Sequence, residues 1–150
     1  MKHFKLRKDL SIEINGRKLF RIEATENLSK HNVKKGDLGG YVEKESNLSG
    51  EAWVSGEAEV SGEARVSGNA FVYGDKIEKT NDLINITSNT CSYNITITPL
   101  HIKIGCQYHT KKAWFNFTDD EIRKMDGEKA VEWWKIWKPI LKTICEGLKQ

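Results

Sequence analysis

Residues 42–77 break into six consecutive sixes: Val42-Glu-Lys-Glu-Ser-Asn47, Leu48-Ser-Gly-Glu-Ala-Trp53, Val54-Ser-Gly-Glu-Ala-Glu59, Val60-Ser-Gly-Glu-Ala-Arg65, Val66-Ser-Gly-Asn-Ala-Phe71 and Val72-Tyr-Gly-Asp-Lys-Ile77. An aliphatic residue opens each six, Gly holds the third place in five of them, and a small residue holds the fifth place in the first five. A fixed period of this kind is the signature of a repeat architecture and takes precedence over any local reading. The expected unit is one short strand and a tight turn, with the opening Val or Leu and the Ala pointing inward and Gly supplying a turn conformation that a Cβ would obstruct. Three sixes then make one coil. Residues 18 apart stack, Val42 on Val60, Leu48 on Val66 and Val54 on Val72, at the strand spacing of roughly 4.8 Å. The expected fold class is therefore mainly β: a short parallel β-helix of about two coils. A stack so short needs caps at both ends. A series of hairpins with Ser-Gly turns is the competing reading, but units of six are too short for it.

The outward places of the repeat carry a surface. Trp53 and Phe71, 18 apart at the sixth place, are expected side by side on one face with Tyr73 near them, either as a binding patch or as a packing face. The acidic fourth places, Glu45, Glu51, Glu57, Glu63 and Asp75, fall on three faces and read as a solvated surface, not as a single stripe.

Upstream, Leu10-Ser-Ile12-Glu-Ile14 and Leu19-Phe20-Arg-Ile22 flank Asn15-Gly16, the strongest short hairpin signal. A β-hairpin is expected, followed by a polar loop through Lys34 and Lys35 that feeds and caps the first coil. Downstream, the segments 83–87, 93–98 and 100–104 are β-rich, the last alternating strictly, and read as a small antiparallel sheet. Thr118-Asp-Asp-Glu121 is a capping box, so a helix begins there and runs to Gly127. A second starts near Glu128, with Val131, Trp134, Trp137 or Leu141, and Ile144 at helical spacing and Trp133, Ile136 and Ile140 beside them. Pro139 is expected to kink or restart it. Its apolar face is too wide for water and calls for the sheet or another subunit. The chain thus divides into 1–41, hairpin and cap; 42–77, repeat; 78–117, sheet; and 118–150, helices.

The chain has 150 residues and a net charge of +3, with 30% charged and 38% hydrophobic residues. That is globular composition, large enough to bury a core without disulfides. Ten Lys/Arg oppose five Asp/Glu in residues 1–40, and three oppose seven in residues 41–76. This basic head and acidic middle are too mild for a nucleic-acid binder. No stretch approaches the ~18 apolar residues of a membrane span. No apolar segment follows the basic N-terminus, so no signal peptide is expected and the three cysteines are read as reduced thiols.

The Cys–His cluster Gly105-Cys106-Gln107-Tyr108-His109 is the one place with chemistry to weigh. A nucleophilic Cys needs a base and a group to orient that base, and the sequence shows no orienting carboxylate. A zinc site needs four ligands, and Cys91, His101, Cys106 and His109 have no recognised spacing. The plain reading is a turn that ends a strand. Cys106, Gln107 and His109 remain candidates for ligand binding, and neither metal nor cofactor is expected.

The hexads resemble the left-handed hexapeptide-repeat β-helix, a fold frequent among acyltransferases, which implies the left-handed winding. Such enzymes carry a catalytic His on a loop between coils, and residues 42–77 contain no His. Three further stretches, Asn15-Gly-Arg-Lys-Leu-Phe-Arg-Ile22, Val33-Lys-Lys-Gly-Asp-Leu-Gly-Gly-Tyr-Val42 and Ile104-Gly-Cys-Gln-Tyr-His109 followed by Trp114 and Phe117, resemble a family of small phage and prophage proteins. That resemblance implies a non-enzymatic accessory protein in the cytoplasm of an infected bacterium, inhibiting a host defence component in the manner of an anti-CRISPR protein. The partner-binding residues would be Trp53, Phe71, Tyr73, Arg65, Lys34 and Lys35, or the Trp-rich helix through Trp133, Trp134 and Trp137. The alternatives are a sponge for a nucleotide immune signal, a hexapeptide-type acyltransferase and a structural virion protein. A homo-oligomer, dimer or trimer, is expected because a two-coil stack has little core of its own.

Overall fold

The computed structural model describes residues 2–79, 82–86 and 93–148. Residues 87–92, with Cys91 among them, lie outside the described residues. Two long strands open the chain, β1 (Phe4–Ile14) and β2 (Arg17–Ala24), joined by Asn15 and Gly16 at φ 51° and 78°. Both turn residues have positive φ, as the tight turn that matches strand twist requires.

The repeat does not build the expected parallel β-helix. It contributes strands to mixed sheets. β3 (Leu38–Val42), β5 (Glu59–Val60) and β7 (Lys76–Ile77) pair in parallel, and β3 also pairs antiparallel with β2, giving one five-stranded sheet in the order β1-β2-β3-β5-β7. β4 (Trp53–Ser55) and β6 (Phe71–Tyr73) form a separate parallel pair, and Leu48 and Val66 meet in an isolated bridge. Residues 18 apart do face one another, Val42 on Val60 and Val54 on Val72. The last pairing slips by one, Val60 meeting Ile77. No solenoid closes among the described residues. The outer edge of β3 is taken by the hairpin, so the sheet grows sideways into β2 and β1, and strands of two or three residues hold too few ladder bonds to wind further coils.

The inward pattern of the repeat survives this change of architecture. Val42, Leu48, Val54, Val60, Val66 and Val72 are fully buried, with Ala52, Ala58, Ala64 and Ala70 between them. Gly50, Gly56, Gly62 and Gly68 all take φ of 62–64°, a left-handed conformation that other residues enter at a cost. A different demand falls on Gly39 and Gly40 in β3. A Cβ on either would collide with the backbone of Val54 or Ala58, so these glycines let β3 lie directly on the repeat.

The C-terminal half has its own buried cluster. β8 (Ile84–Ile86), β9 (Ile95–Ile97), β10 (His101–Ile104) and β11 (Gln107–Thr110) form an antiparallel sheet in the order β11-β10-β9-β8. Three helices cover it: α1 (Lys111–Asn116), α2 (Asp119–Asp126) and α3 (Glu128–Leu148). α1 falls in a segment expected as sheet; Thr110 caps it by accepting from the Ala113 N–H. Thr118 and Glu121 close the capping box that starts α2. α3 runs through Pro139 as one element, where a restart was the alternative expected. Pro139 is exposed, while Leu141 and Cys145 beyond it are buried, so packing holds the last turns in helix. No described helix is long and apolar enough to cross a membrane.

Candidate functional site

Along β10 the sequence His101-Ile102-Lys103-Ile104 sends alternate side chains to opposite faces. Ile102 and Ile104 join the core under the helices. On that side the turn at Gly105 and Cys106, the end of α2 and the first turns of α3 enclose a cavity of about 200 Å³. Its walls are aromatic and aliphatic, chiefly Tyr93, Trp114, Ile122, Trp133 and Trp134. Tyr93 packs edge-on against Trp133 at 5.0 Å, and Trp114 lies 5.4 Å from Trp134.

The polar groups of this cavity are few. Cys106 is exposed at its mouth, and Gln107 and Asp126 complete the rim. The Tyr93 hydroxyl donates to Asp126 at 2.6 Å. That bond holds the Asp126 carboxyl below the usual carboxylate range, while burial and the nearby carboxylate push the Tyr93 phenol up to about 12. Trp114 donates its indole N–H to the Ile102 carbonyl at 2.7 Å. The indole N–H groups of Trp133 and Trp134 are buried and have no hydrogen-bond partner among the described residues. An unpaired buried donor costs about 1–3 kcal/mol.

The opposite face of β10 meets the repeat in a polar seam. The Asp75 carboxylate is fully buried there and accepts from Thr98 Oγ1 at 2.6 Å, the Leu100 backbone N–H at 2.9 Å and His101 Nδ1 at 2.8 Å. Tyr108 stacks on His101 and its hydroxyl donates to the Tyr73 carbonyl. Burial raises the Tyr108 phenol well above its ordinary value. Phe71 lies lower in the same seam, between His31 and Tyr108. Asp75 was expected as part of a solvated surface. It is instead buried, because the C-terminal sheet closes over it and supplies its hydrogen-bond donors.

The residues singled out from sequence separate into groups. Cys106, Gln107, Trp133 and Trp134 converge on the cavity, with Trp137 stacked on Trp133 at 5.5 Å. His109 is not in its wall; it bonds Gln107 at 3.0 Å and packs edge-on against Trp114 and Phe117. Trp53 and Phe71 are neighbours, as spacing required, but Trp53 is 1% exposed and offers no surface, because β3 covers it. Tyr73 is half exposed, and Arg65, Lys34 and Lys35 are exposed outside both the cavity and the seam. Sequence reasoning missed Lys103 and His31, weighed His101 only as a metal ligand, and set Asp75 on a solvated surface. The readable signal was the polar face of β10: with Ile102 and Ile104 committed to a core, His101 and Lys103 had to face something. No protein-family model, curated protein or solved structure matches the chain.

Proposed function

We propose that the protein acts by binding, and that its ligand is a small apolar molecule or ring, held between the β10–β11 turn and α3. The observation that carries this reading is the cavity of about 200 Å³ walled by Tyr93, Trp114, Ile122, Trp133 and Trp134. A dry cavity near 150 Å³ already admits a benzene ring, so the size suits one ring with a short substituent. The test is titration of the full chain with toluene, followed by tryptophan fluorescence. Saturable binding is expected, and Ala130→Leu, which fills the cavity from its α3 wall, should abolish it. No saturable binding, or equal binding by the variant, defeats the reading.

A second reading rests on α3. Ile136 and Ile140 are 65% and 42% exposed, one turn apart, with Trp137 beside them. This is a face on which a host defence protein could dock, in the mode implied by the likeness to phage accessory proteins and in the cytoplasm of the infected cell. Pull-down of a stoichiometric host protein by the native chain but not by Ile136→Glu/Ile140→Glu supports it. Equal recovery by both defeats it.

A further inference from the structure

The geometry points to the class of guest, on the reading of the apolar cavity as the binding site: the cavity takes an organic ammonium ion, with its apolar body among the Trp rings and its cationic head at Asp126. Four aromatic side chains, Tyr93, Trp114, Trp133 and Trp134, stand in the wall. They are set at angles to one another. Tyr93 is nearly perpendicular to Trp133 with centroids 5.0 Å apart, and Trp114 is tilted by 43° to Trp134. Rings at such angles border a guest from more than one side. An uncharged guest uses them only as apolar surface, whereas a cation is also attracted by the electron-rich ring faces.

The charge at the rim has one sign. No Lys, Arg or His stands among the described residues of the wall, and Asp126 is its one carboxylate. The Tyr93 hydroxyl donates to Oδ2 of Asp126 at 2.6 Å, and the bond holds that carboxyl below the usual range, so it is ionised at neutral pH. Oδ2 also faces the Lys129 ammonium at 3.4 Å, on a side chain 74% exposed in the first turn of α3. Oδ1 accepts no hydrogen bond among the described residues, and the Asp126 side chain is 46% exposed, so a guest can reach it. The other cation nearby, Arg123, is held by Glu128 at 2.7 Å and by Asp120. α2 ends at Asp126 and α3 begins at Glu128, so the opposite partial charges of two helix ends meet there and offset each other. An anionic guest would set its charge against Asp126, and a neutral one would leave Oδ1 to water. An ammonium gains a charge-assisted hydrogen bond at Oδ1 together with the attraction of the rings.

The experiment is calorimetric titration of the full chain at pH 7 with benzylammonium, benzyl alcohol, benzoate and toluene, four probes built on one ring. Benzylammonium should bind about tenfold more tightly than benzyl alcohol, and benzoate most weakly. Asp126→Asn keeps an oxygen to accept from Tyr93 but removes the charge. It should bring benzylammonium to within about twofold of benzyl alcohol and leave toluene binding unchanged. Lys129→Met removes the ammonium that competes for the same carboxylate. It should tighten benzylammonium by about threefold, again with toluene unchanged. Toluene binding thus reports the intact cavity in both variants. If Asp126→Asn loses toluene as well, the cavity has collapsed and Lys129→Met decides, a failure to tighten benzylammonium counting against the ammonium. Saturation by toluene without a preference for benzylammonium, or a preference that survives Asp126→Asn, overturns the ammonium class and leaves the apolar cavity standing. Saturation by none of the four overturns both.

Discussion

Asp75 and His101 are joined across the seam by a 2.8 Å contact between Oδ2 and Nδ1, with the carboxylate fully buried and the imidazole about four-fifths buried. The carboxylate can only accept, so the Nδ1 atom of His101 carries the proton. Among the described residues, every hydrogen-bond partner of the Asp75 carboxylate lies between Thr98 and Tyr108. One side chain of the repeat therefore ties down the edge of the C-terminal sheet.

Asp75→Ala should cost about 3 kcal/mol, because it leaves the Thr98 hydroxyl, the Leu100 N–H and His101 without an acceptor. Asp75→Asn, which keeps one accepting oxygen, should cost about half as much. Urea unfolding of the two variants separates the outcomes. Equal, negligible losses would mean that the seam is not held at this point.

The repeat turns should show graded strain. Gly50 has φ 64°, and an added Cβ would lie 3.0 Å from backbone atoms of Gly68 in the neighbouring turn. Gly74 has φ 77° and open space around it. Gly74→Ala should cost about 1 kcal/mol from conformation alone, and Gly50→Ala about 2–3 kcal/mol because the collision adds to it. Thermal melts giving the reverse order would contradict the stacking of these two turns.

Thiol reactivity should divide by position. Cys106 is exposed at the cavity mouth, and Cys145 is 5% exposed on the buried face of α3. In a Cys91→Ser background, a maleimide should modify Cys106 promptly and Cys145 roughly 100-fold more slowly, since the latter waits on opening of the helix. Toluene should slow the first reaction if it occupies the cavity that Cys106 lines. Mass spectrometry of peptides over time reads both rates.

Acid should weaken the fold through His31. Its pKa is about 4 in the folded chain, below the usual 6.5, because burial disfavours the charged ring. Between these values the unfolded chain binds the proton more readily. The stability present above pH 6.5 is therefore lost progressively as the pH falls towards 4. His31→Gln should flatten this part of the Tm–pH profile. A profile unchanged by the substitution would show that the imidazole is not the group responsible.

The features legible in the sequence were those whose cause is local. Asn15-Gly16 demands positive φ within two residues, and Thr118 reaches Glu121 within one turn, so the hairpin and the start of α2 needed no tertiary knowledge. The joining of the hairpin to the repeat was not local: β1, β2 and β3 extend the same sheet as β5 and β7. Trp53 and Tyr73 occupy neighbouring outward places, yet one is sealed and the other half exposed. What separates them is β3, whose two glycines allow it to lie over Trp53.

The period of six by itself determined which residues of 42–77 point inward and which lie 18 apart, because side-chain direction in a strand and the conformation of a glycine turn are properties of a few adjacent residues. Which strand borders which was decided only in three dimensions. A free sheet edge pairs with whatever backbone reaches it, and at β3 that is β2 of the hairpin, so a run of parallel strands became part of a mixed sheet. The same holds for the polar groups. Asp75, His101, Lys103 and His31 acquire or lack partners according to how two independently formed layers meet, and no spacing along the chain encodes that meeting.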